Sequence, residues 1–254
     1  MSLLDIVDLH KAFGGVRAVD GVSFAVEPGE LLALIGPNGA GTSTLFNLLN
    51  GQLQPDSGQV SLNGASLAGL PPRAIWRQGV GRTFQISQTF ASLTVLENVQ
   101  MVLLSQARKL FGLWSRAAAH EPQRALGLLE QVGMAAQAGR PCSELAYGDV
   151  KRVELAMALA SEPQLLLMDE PTAGMAPEER HALMALTRRL AAERHMAVLF
   201  TEHSMDVVFG YAQRVIVLAR GTILAQGDPM QIQGDPAVQR EYLGVGQPIE
   251  ARKA

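Results

Sequence analysis

A glycine-rich turn holds the residues whose types and spacing are most informative about chemistry. Residues 36–43 follow the apolar run 31–35 and precede the helix-like segment 44–49. A strand, a glycine-rich turn and a helix in this order form the phosphate-binding loop G-x-x-x-x-G-K-[ST]. Its backbone N–H groups surround a phosphate, and the helix N-terminus adds partial positive charge. The glycines permit the backbone angles this requires, and Ser43 is predicted to offer a hydroxyl ligand to Mg²⁺.

Thr42 occupies the position at which this loop carries a lysine. A lysine about 4 Å from a phosphate oxygen contributes roughly 4 kcal/mol at an effective dielectric constant near 20. Desolvation of the ammonium offsets part of this, which leaves a net loss of about 2–4 kcal/mol when the lysine is absent. We therefore expect hydrolysis at this site to be slower by roughly 30- to 1,000-fold. Weakened nucleotide binding should persist, because the backbone nest remains.

Two acidic residues, Asp169 and Glu170, follow the apolar run 165–168. Ligands of open α/β sheets collect at the carboxyl ends of the strands, so these carboxylates are placed for chemistry. We expect Asp169 to hold Mg²⁺ through water and Glu170 to orient and deprotonate an attacking water. The alternative is that both acids are solvated and cap the next turn.

Three further signals are weaker. His203 follows the apolar run 197–200 and could reach a terminal phosphate, although a surface or capping histidine is the alternative. Gln85 by itself carries almost no information. The small-residue turn 145–149 precedes the predicted helix 150–160 and could contact phosphate from outside. Asp149 also has a purely structural explanation, because an acid near a helix N-terminus is favourable.

Aliphatic strands that alternate with helices must position these residues. The first thirty residues alternate apolar and polar positions, which predicts antiparallel strands. The segment from about 93 to 160 has helical periodicity, and a helix is predicted at 178–193 between two buried strands. A hairpin is predicted at 215–218 and 222–225. Continuous aliphatic strands separated by helices indicate a parallel sheet covered on both faces.

Composition limits the possible functions. The net charge of −3 and the pI near 6.0 provide no basic surface for nucleic acid. The one cysteine, Cys142, excludes an internal disulfide bond and fits a reducing compartment. The N-terminus does not resemble a signal peptide, and no stretch approaches the roughly 18 apolar residues of a membrane span. We therefore expect a cytosolic protein that reaches a membrane only through a partner.

Together these motifs resemble the nucleotide-binding subunit of ATP-binding cassette (ABC) transporters, and the resemblance covers essentially the whole chain. It implies an α/β fold of the P-loop NTPase type, with a RecA-like parallel-sheet core, an antiparallel β subdomain and an inserted α-helical subdomain. One domain would span 1–254, with the core and β subdomain at 1–85 and 161–254 and the helical subdomain at 86–160.

The resemblance also assigns roles to residues. It implies ATP and Mg²⁺ as cofactors. Catalytic roles fall to Glu170, His203 as switch histidine and Gln85 of the Q-loop, and metal binding to Ser43, Gln85 and Asp169. ATP would be bound by Phe13, which stacks on adenine, by the Walker A residues Gly36, Pro37, Asn38, Gly39, Ala40, Gly41, Thr42, Ser43 and Thr44, and by the signature residues Ala146, Tyr147, Gly148 and Asp149.

The strings at 81–85, 93–99 and 145–148 are similar to those of the branched-chain amino acid importers within this family. The resemblance implies a second cassette as partner, transmembrane permease subunits, a periplasmic solute-binding protein that acts indirectly, and no nucleic acid. The location would be the cytoplasmic face of the inner membrane, through the permease subunits.

The chain departs from the family pattern at four positions, namely Thr42, Ala146, Asp149 in place of a glutamine, and Ala176 in place of an Asp or Asn. Two functions therefore stay open. One is an importer ATPase whose own Walker site is impaired. The other is a non-hydrolysing nucleotide-binding module that pairs with an active cassette. A soluble ABC protein of translation or DNA repair fits less well, because such chains usually carry two cassettes or long coiled coils.

Overall fold

Two sheets organise the structure, a computed structural model that describes residues 2–83, 89–107 and 121–241. The described strands are β1 (Leu4–Phe13), β2 (Val16–Val26), β3 (Leu31–Ile35), β4 (Ser57–Leu62), β5 (Ala65–Ser66), β6 (Val80–Thr83), β7 (Leu165–Asp169), β8 (Ala197–Thr201), β9 (Arg214–Ala219) and β10 (Thr222–Gly227). The described helices are α1 (Thr42–Leu49), α2 (Pro72–Arg77), α3 (Val95–Gln106), α4 (Pro122–Gln131), α5 (Tyr147–Leu159), α6 (Pro177–Arg194), α7 (Met205–Tyr211), α8 (Pro229–Gly234) and α9 (Pro236–Glu241).

The larger sheet has the strand order β10-β9-β3-β8-β7-β6. Its strands from β9 to β6 run parallel, and β10 joins the edge antiparallel to β9. The smaller sheet has the order β2-β1-β4-β5 and is antiparallel. The predicted α/β fold, with a parallel-strand core, an antiparallel sheet and a helical insertion, is confirmed.

Strand β3 shows why the larger sheet is covered on both faces. All five of its residues are buried. Side chains alternate between the faces of a strand, and Leu31, Ala33 and Ile35 pack into a core shared with helices α3 to α7. Leu32 and Leu34 pack into a second core, shared with α1 and the antiparallel sheet. A strand buried on both sides reads as a continuous aliphatic run, which is the pattern that predicted it.

Most predicted elements agree with the structure, but α5 and β4 begin earlier than their local sequence indicates. Helix α5 begins at Tyr147 rather than at residue 150, because Ala146 is its N-cap and the predicted turn forms its first turn. Strand β4 already includes Ser57 and Gly58, although both are residue types typical of turns. Gly58, the second residue of β4, has φ +95°, and a Cβ there would lie 2.3 Å from the carbonyl oxygen of Asp8. The start of this strand therefore requires glycine. The unpredicted elements are the strands β5 and β6 and the helices α2, α7, α8 and α9.

No helix in the described ranges is long and apolar enough to cross a membrane.

Hydrogen bonds from the Asn98 side chain connect helix α3 to the segment 89–94 that precedes it. This fully buried side chain accepts the Phe90 N–H at 2.7 Å and donates to the carbonyl oxygens of Phe90 at 3.1 Å and Thr94 at 2.9 Å. We expect Asn98→Leu to lower the free energy of unfolding by about 1–3 kcal/mol, because the Phe90 N–H loses this acceptor and the two carbonyl oxygens each lose one of their donors. Chemical denaturation measures this, with the half-buried Ser105→Ala on the same helix as control. Equal stability of both variants would contradict the prediction.

Candidate functional site

Two glycines of the turn after β3 stand where the backbone leaves no space for a side chain. A Cβ at Gly36 would lie 2.5 Å from the Leu218 carbonyl oxygen and 2.6 Å from the Ala40 Cβ. Gly41 has φ +106°, and a Cβ there would lie 2.1 Å from the carbonyl oxygen of Ala18. Real Cβ atoms do not approach backbone this closely, so both positions depend on the absence of a side chain.

Backbone hydrogen bonds tie this turn to the neighbouring strands. The Gly221 N–H donates to the Ala40 carbonyl oxygen at 2.9 Å, and the Asp20 N–H donates to the Gly221 carbonyl oxygen at 2.8 Å. Helix α1 begins directly afterwards at Thr42. The first N–H groups of a helix have no partner within the helix, and they carry partial positive charge. The turn is therefore a rigid concave arrangement suited to an anion.

Gly41→Ala is expected to lower the free energy of unfolding by about 3 kcal/mol or more, because left-handed strain adds to a backbone collision. Gly39→Ala is the matched control. Gly39 also has a positive φ of +81°, but a Cβ there would meet nothing within 4 Å. Its cost should be about 1–2 kcal/mol. Thermal and chemical denaturation of both variants give the comparison, and similar losses would contradict the assigned packing.

At the carboxyl end of β7, Thr201 joins the two acids. Its Oγ1 donates to Asp169 Oδ1 at 2.9 Å and accepts the Glu170 N–H at 3.0 Å. Glu170 has φ +46°, a left-handed conformation uncommon for a residue with a side chain. Such strain persists only where the surrounding structure imposes it. Here the hydroxyl of the neighbouring strand β8 helps to fix both acids.

His203 lies directly against Glu170. Its Nε2 is 3.0 Å from Glu170 Oε1. The preceding residue, Glu202, is 4% exposed. It accepts hydrogen bonds from the Thr172 N–H at 2.8 Å and the Thr172 hydroxyl at 2.6 Å. A buried carboxylate thus links the loop after β8 to the loop after β7, which sets the position of the histidine relative to the acid.

These parts meet in one small cleft. It combines the glycine-rich turn, the start of α1, both acids and the histidine, and its lining includes Gly36, Thr42, Ser43, Asp169, Glu170, Thr201, Glu202 and His203. The hydroxyl and carboxylate groups are oxygen donors of the type that a hard divalent cation prefers. No lysine or arginine lies among the described lining residues. The arrangement suits binding of a phosphate chain with a cation, with an acid available to accept a proton.

Comparison with known proteins agrees with this geometry. Residues 19–173 match the family model described as ABC transporter. The chain belongs to the ABC transporter family. It is 40% identical over 251 residues to the high-affinity branched-chain amino acid transport ATP-binding protein LivG of Escherichia coli (strain K12), an alignment that covers 95% of this chain and 98% of the relative.

Two other relatives support the same assignment. The ABC cassette is 38% identical over 252 residues to the branched-chain amino acid transport ATP-binding protein BraF of Pseudomonas aeruginosa, with 95% of this chain and 98% of the relative covered. Among solved structures, the ADP conformation of MJ1267, an ATP-binding cassette of an ABC transporter, aligns with a TM-score of 0.87 at 32% identity. That alignment covers 96% of this chain and 99% of the other.

Two other groups of ABC motif residues, Phe13 and residues 146–149, lie away from the cleft. Phe13 is 46% exposed, and the Lys11 Nζ lies 5.6 Å from the centre of its ring. The signature residues 146–149 form the start of α5, where Tyr147 is 44% exposed. Neither Phe13 nor residues 146–149 are among the described residues that line the cleft. Gln85 lies outside the described residues, so its position in the cassette stays a prediction.

Sequence reasoning missed Arg82. Its side chain is 12% exposed, and its Nη2 lies 3.1 Å from Asp169 Oδ2. Burial lowers the pKa of the Arg82 guanidinium, and the Asp169 carboxylate acts in the opposite direction. Arg82 belongs to one of the strings that indicated the importer group, but nothing local in that string indicates an acid 87 residues away. Thr201, Glu202 and Thr172 were missed for the same reason.

Proposed function

We propose that this chain is the nucleotide-binding subunit of an ABC importer for branched-chain amino acids or related small solutes. The observation that carries the proposal is the cleft in which the glycine-rich turn meets Asp169, Glu170 and His203. The names of the LivG and BraF relatives supply the substrate class. The site would lie at the cytoplasmic face of the inner membrane, where the cassette binds transmembrane permease subunits that receive solute from a periplasmic binding protein.

The cleft residues then have distinct tasks. Backbone N–H groups of the turn 36–43, Pro37 excepted, would hold the phosphates of ATP, and the exposed Phe13 outside the cleft would stack on adenine. Ser43 and Asp169, together with Gln85, would hold Mg²⁺, and the ion would supply positive charge that neutralises the phosphates. Such an ion keeps several waters and needs few protein ligands, which fits a site whose described ligands are one hydroxyl and one carboxylate. Glu170 takes the proton of the attacking water, and His203 orients Glu170 and contacts the terminal phosphate.

A second cassette follows from the position of the signature residues. Ala146 to Asp149 lie outside the cleft, at an α5 N-terminus whose Tyr147 is exposed. In a head-to-tail dimer this N-terminus would cover the nucleotide of the partner. Closure of the dimer by ATP and reopening after hydrolysis would supply the motion that drives transport.

An apolar groove is the candidate contact with the permease. It lies between α2, β6, α3 and α5, with a cavity volume of about 260 Å³, and its apolar lining is Ile75, Trp76, Val80, Val102, Met157 and Ala158. We propose that a short helix of a permease subunit binds there by its apolar face. The groove includes Arg82, which also pairs with Asp169, so an occupant would sit next to a residue connected with the nucleotide site.

Thr42 supports a second candidate function, a nucleotide-binding module that does not hydrolyse ATP itself. Thr42 lines the cleft beside Asp169 and Glu170, and the described lining contains no lysine or arginine. In that case the chain would contribute its signature residues to an active partner. Mixing it with a competent cassette distinguishes the two functions, because activity should then depend on the partner's Walker lysine.

Two experiments test the proposal. Calorimetric titration of the purified chain with Mg²⁺-ATP should show binding, and absence of binding by both this chain and Thr42→Lys would contradict a nucleotide function. Inactivation of the gene in its source organism should reduce uptake of radiolabelled leucine, isoleucine and valine, and a plasmid copy should restore it. Unchanged uptake of all three would contradict the proposed substrate class.

A further inference from the structure

The Arg82–Asp169 ion pair connects three elements of the cassette. Asp169 lies at the end of β7, and its side chain is 17% exposed. Arg82 lies on the neighbouring strand β6, and its Nη1 donates to Asn47 Oδ1 of α1 at 3.0 Å and to Gln52 Oε1 at 3.3 Å. The guanidinium is therefore held from the side of α1 while it binds the carboxylate, and it does not depend on Asp169 alone for its position.

Both carboxylate oxygens of Asp169 have partners in this structure. Oδ1 accepts the Thr201 hydroxyl at 2.9 Å, and Oδ2 accepts Arg82 Nη2 at 3.1 Å. A carboxylate oxygen has room for more than one donor, so the guanidinium does not block access sterically. Its charge, however, reduces the attraction of the carboxylate for a second cation.

We propose that Arg82 is a positioning residue that holds Asp169 while the metal is absent and competes with Mg²⁺ for this carboxylate. The proposal rests on the proposed function, in which Asp169 meets Mg²⁺ together with ATP. Because Thr42 replaces the loop lysine, Arg82 also supplies positive charge near a cleft whose described lining has neither lysine nor arginine. Arg82 should therefore favour ATP without metal and disfavour Mg²⁺, two opposite effects from one charge.

Arg82→Gln is expected to lower the Mg²⁺ concentration for half-maximal binding of a fluorescent ATP analogue by about tenfold, since a cation beside the metal ligand is removed. The same variant should bind the analogue in EDTA about threefold more weakly, because attraction to the phosphates is lost. Arg82→Lys keeps the charge and should stay close to the parent in both measurements. Equal or higher Mg²⁺ requirement in Arg82→Gln would overturn the competition.

Arg214→Gln is the matched control. Arg214 forms a partly buried ion pair with Glu30, from Nε to Oε1 at 2.7 Å, at the opposite end of the sheet from the cleft. This variant should lose stability as Arg82→Gln does, but its Mg²⁺ dependence should equal that of the parent. A shift of the Mg²⁺ requirement in the control as well would assign the effect to general destabilisation and overturn the proposal.

A double-mutant cycle in metal-free protein tests the positioning role without any nucleotide. Unfolding of Arg82→Gln, Asp169→Asn and the double variant should reveal a coupling of about 5- to 30-fold in the unfolding equilibrium constant. Additive effects would overturn the positioning role. If the parent binds no nucleotide while the coupling is present, the proposed function fails together with the competition, and the ion pair alone is retained.

Discussion

Thr42→Lys is expected to raise ATP hydrolysis by about 30- to 1,000-fold. The physical reason is the roughly 2–4 kcal/mol of net attraction between an ammonium and the transferring phosphate that threonine cannot provide. Thr42 is the first residue of α1 and lines the cleft with Asp169, Glu170 and His203, so the added cation would enter a site that already holds the other groups. Steady-state phosphate release at saturating Mg²⁺-ATP measures the change.

Ala65→Lys is the control for this experiment. Ala65 is exposed on β5 at the edge of the antiparallel sheet, so the variant adds the same charge without entering the cleft. Its hydrolysis rate should equal that of the parent. A rate for Thr42→Lys within about threefold of the parent would mean that the missing lysine does not limit hydrolysis. The chain would then contribute mainly through its signature residues and its contacts with other subunits.

The second large effect is expected from Glu170→Gln in the Thr42→Lys background. General base catalysis contributes about 10²- to 10⁴-fold, and glutamine keeps the shape of the side chain but cannot accept the proton. Hydrolysis should fall by about that factor, whereas the dissociation constant for Mg²⁺-ATP should change by less than about threefold. Single-turnover kinetics and equilibrium binding separate the two quantities.

Glu178→Gln provides the comparison for this second variant. Glu178 is an exposed acid in the first turn of α6, so the same chemical change is made outside the cleft. Its activity should remain that of Thr42→Lys alone. If Glu170→Gln hydrolyses ATP as fast as its background, the 3.0 Å contact between His203 and Glu170 has a structural role, and another group accepts the proton.

Thr42 and Arg82 both affect the positive charge of the nucleotide cleft. With Thr42 in place of a lysine, the cleft lacks the cation of the usual loop. Arg82 places a guanidinium against Asp169, a carboxylate of the same cleft. A Thr42→Lys, Arg82→Gln double variant shows whether the two residues share a task. If Arg82 compensates for the absent lysine, the loss of metal-free ATP binding caused by Arg82→Gln should be smaller in the lysine background, because the phosphates then have another cation.

The sequence by itself determined the family, the fold class and the main parts of the cleft. Strand β3 has the bounds Leu31–Ile35 in both prediction and structure, because a strand buried on both faces is a continuous aliphatic run. The backbone atoms that exclude a side chain at Gly36 and Gly41 belong to Leu218 and Ala18, which are distant in the sequence. The turn after β3 was nevertheless readable, because its glycines stand at fixed spacing between a strand and a helix. These signals are local, so a linear pattern is sufficient to show them.

The tertiary structure decided which of these residues act on one another. The order β3-β8-β7-β6 places Thr201 beside Asp169 and Arg82 on the next strand, although the three residues come from separate parts of the chain. Strand order follows from the packing of whole helices and sheets, which no local pattern encodes. The same holds for Glu202, whose buried carboxylate binds Thr172 and thereby sets the position of His203. Chemistry-bearing residue types are thus visible in the sequence, whereas their partners depend on contacts between distant segments.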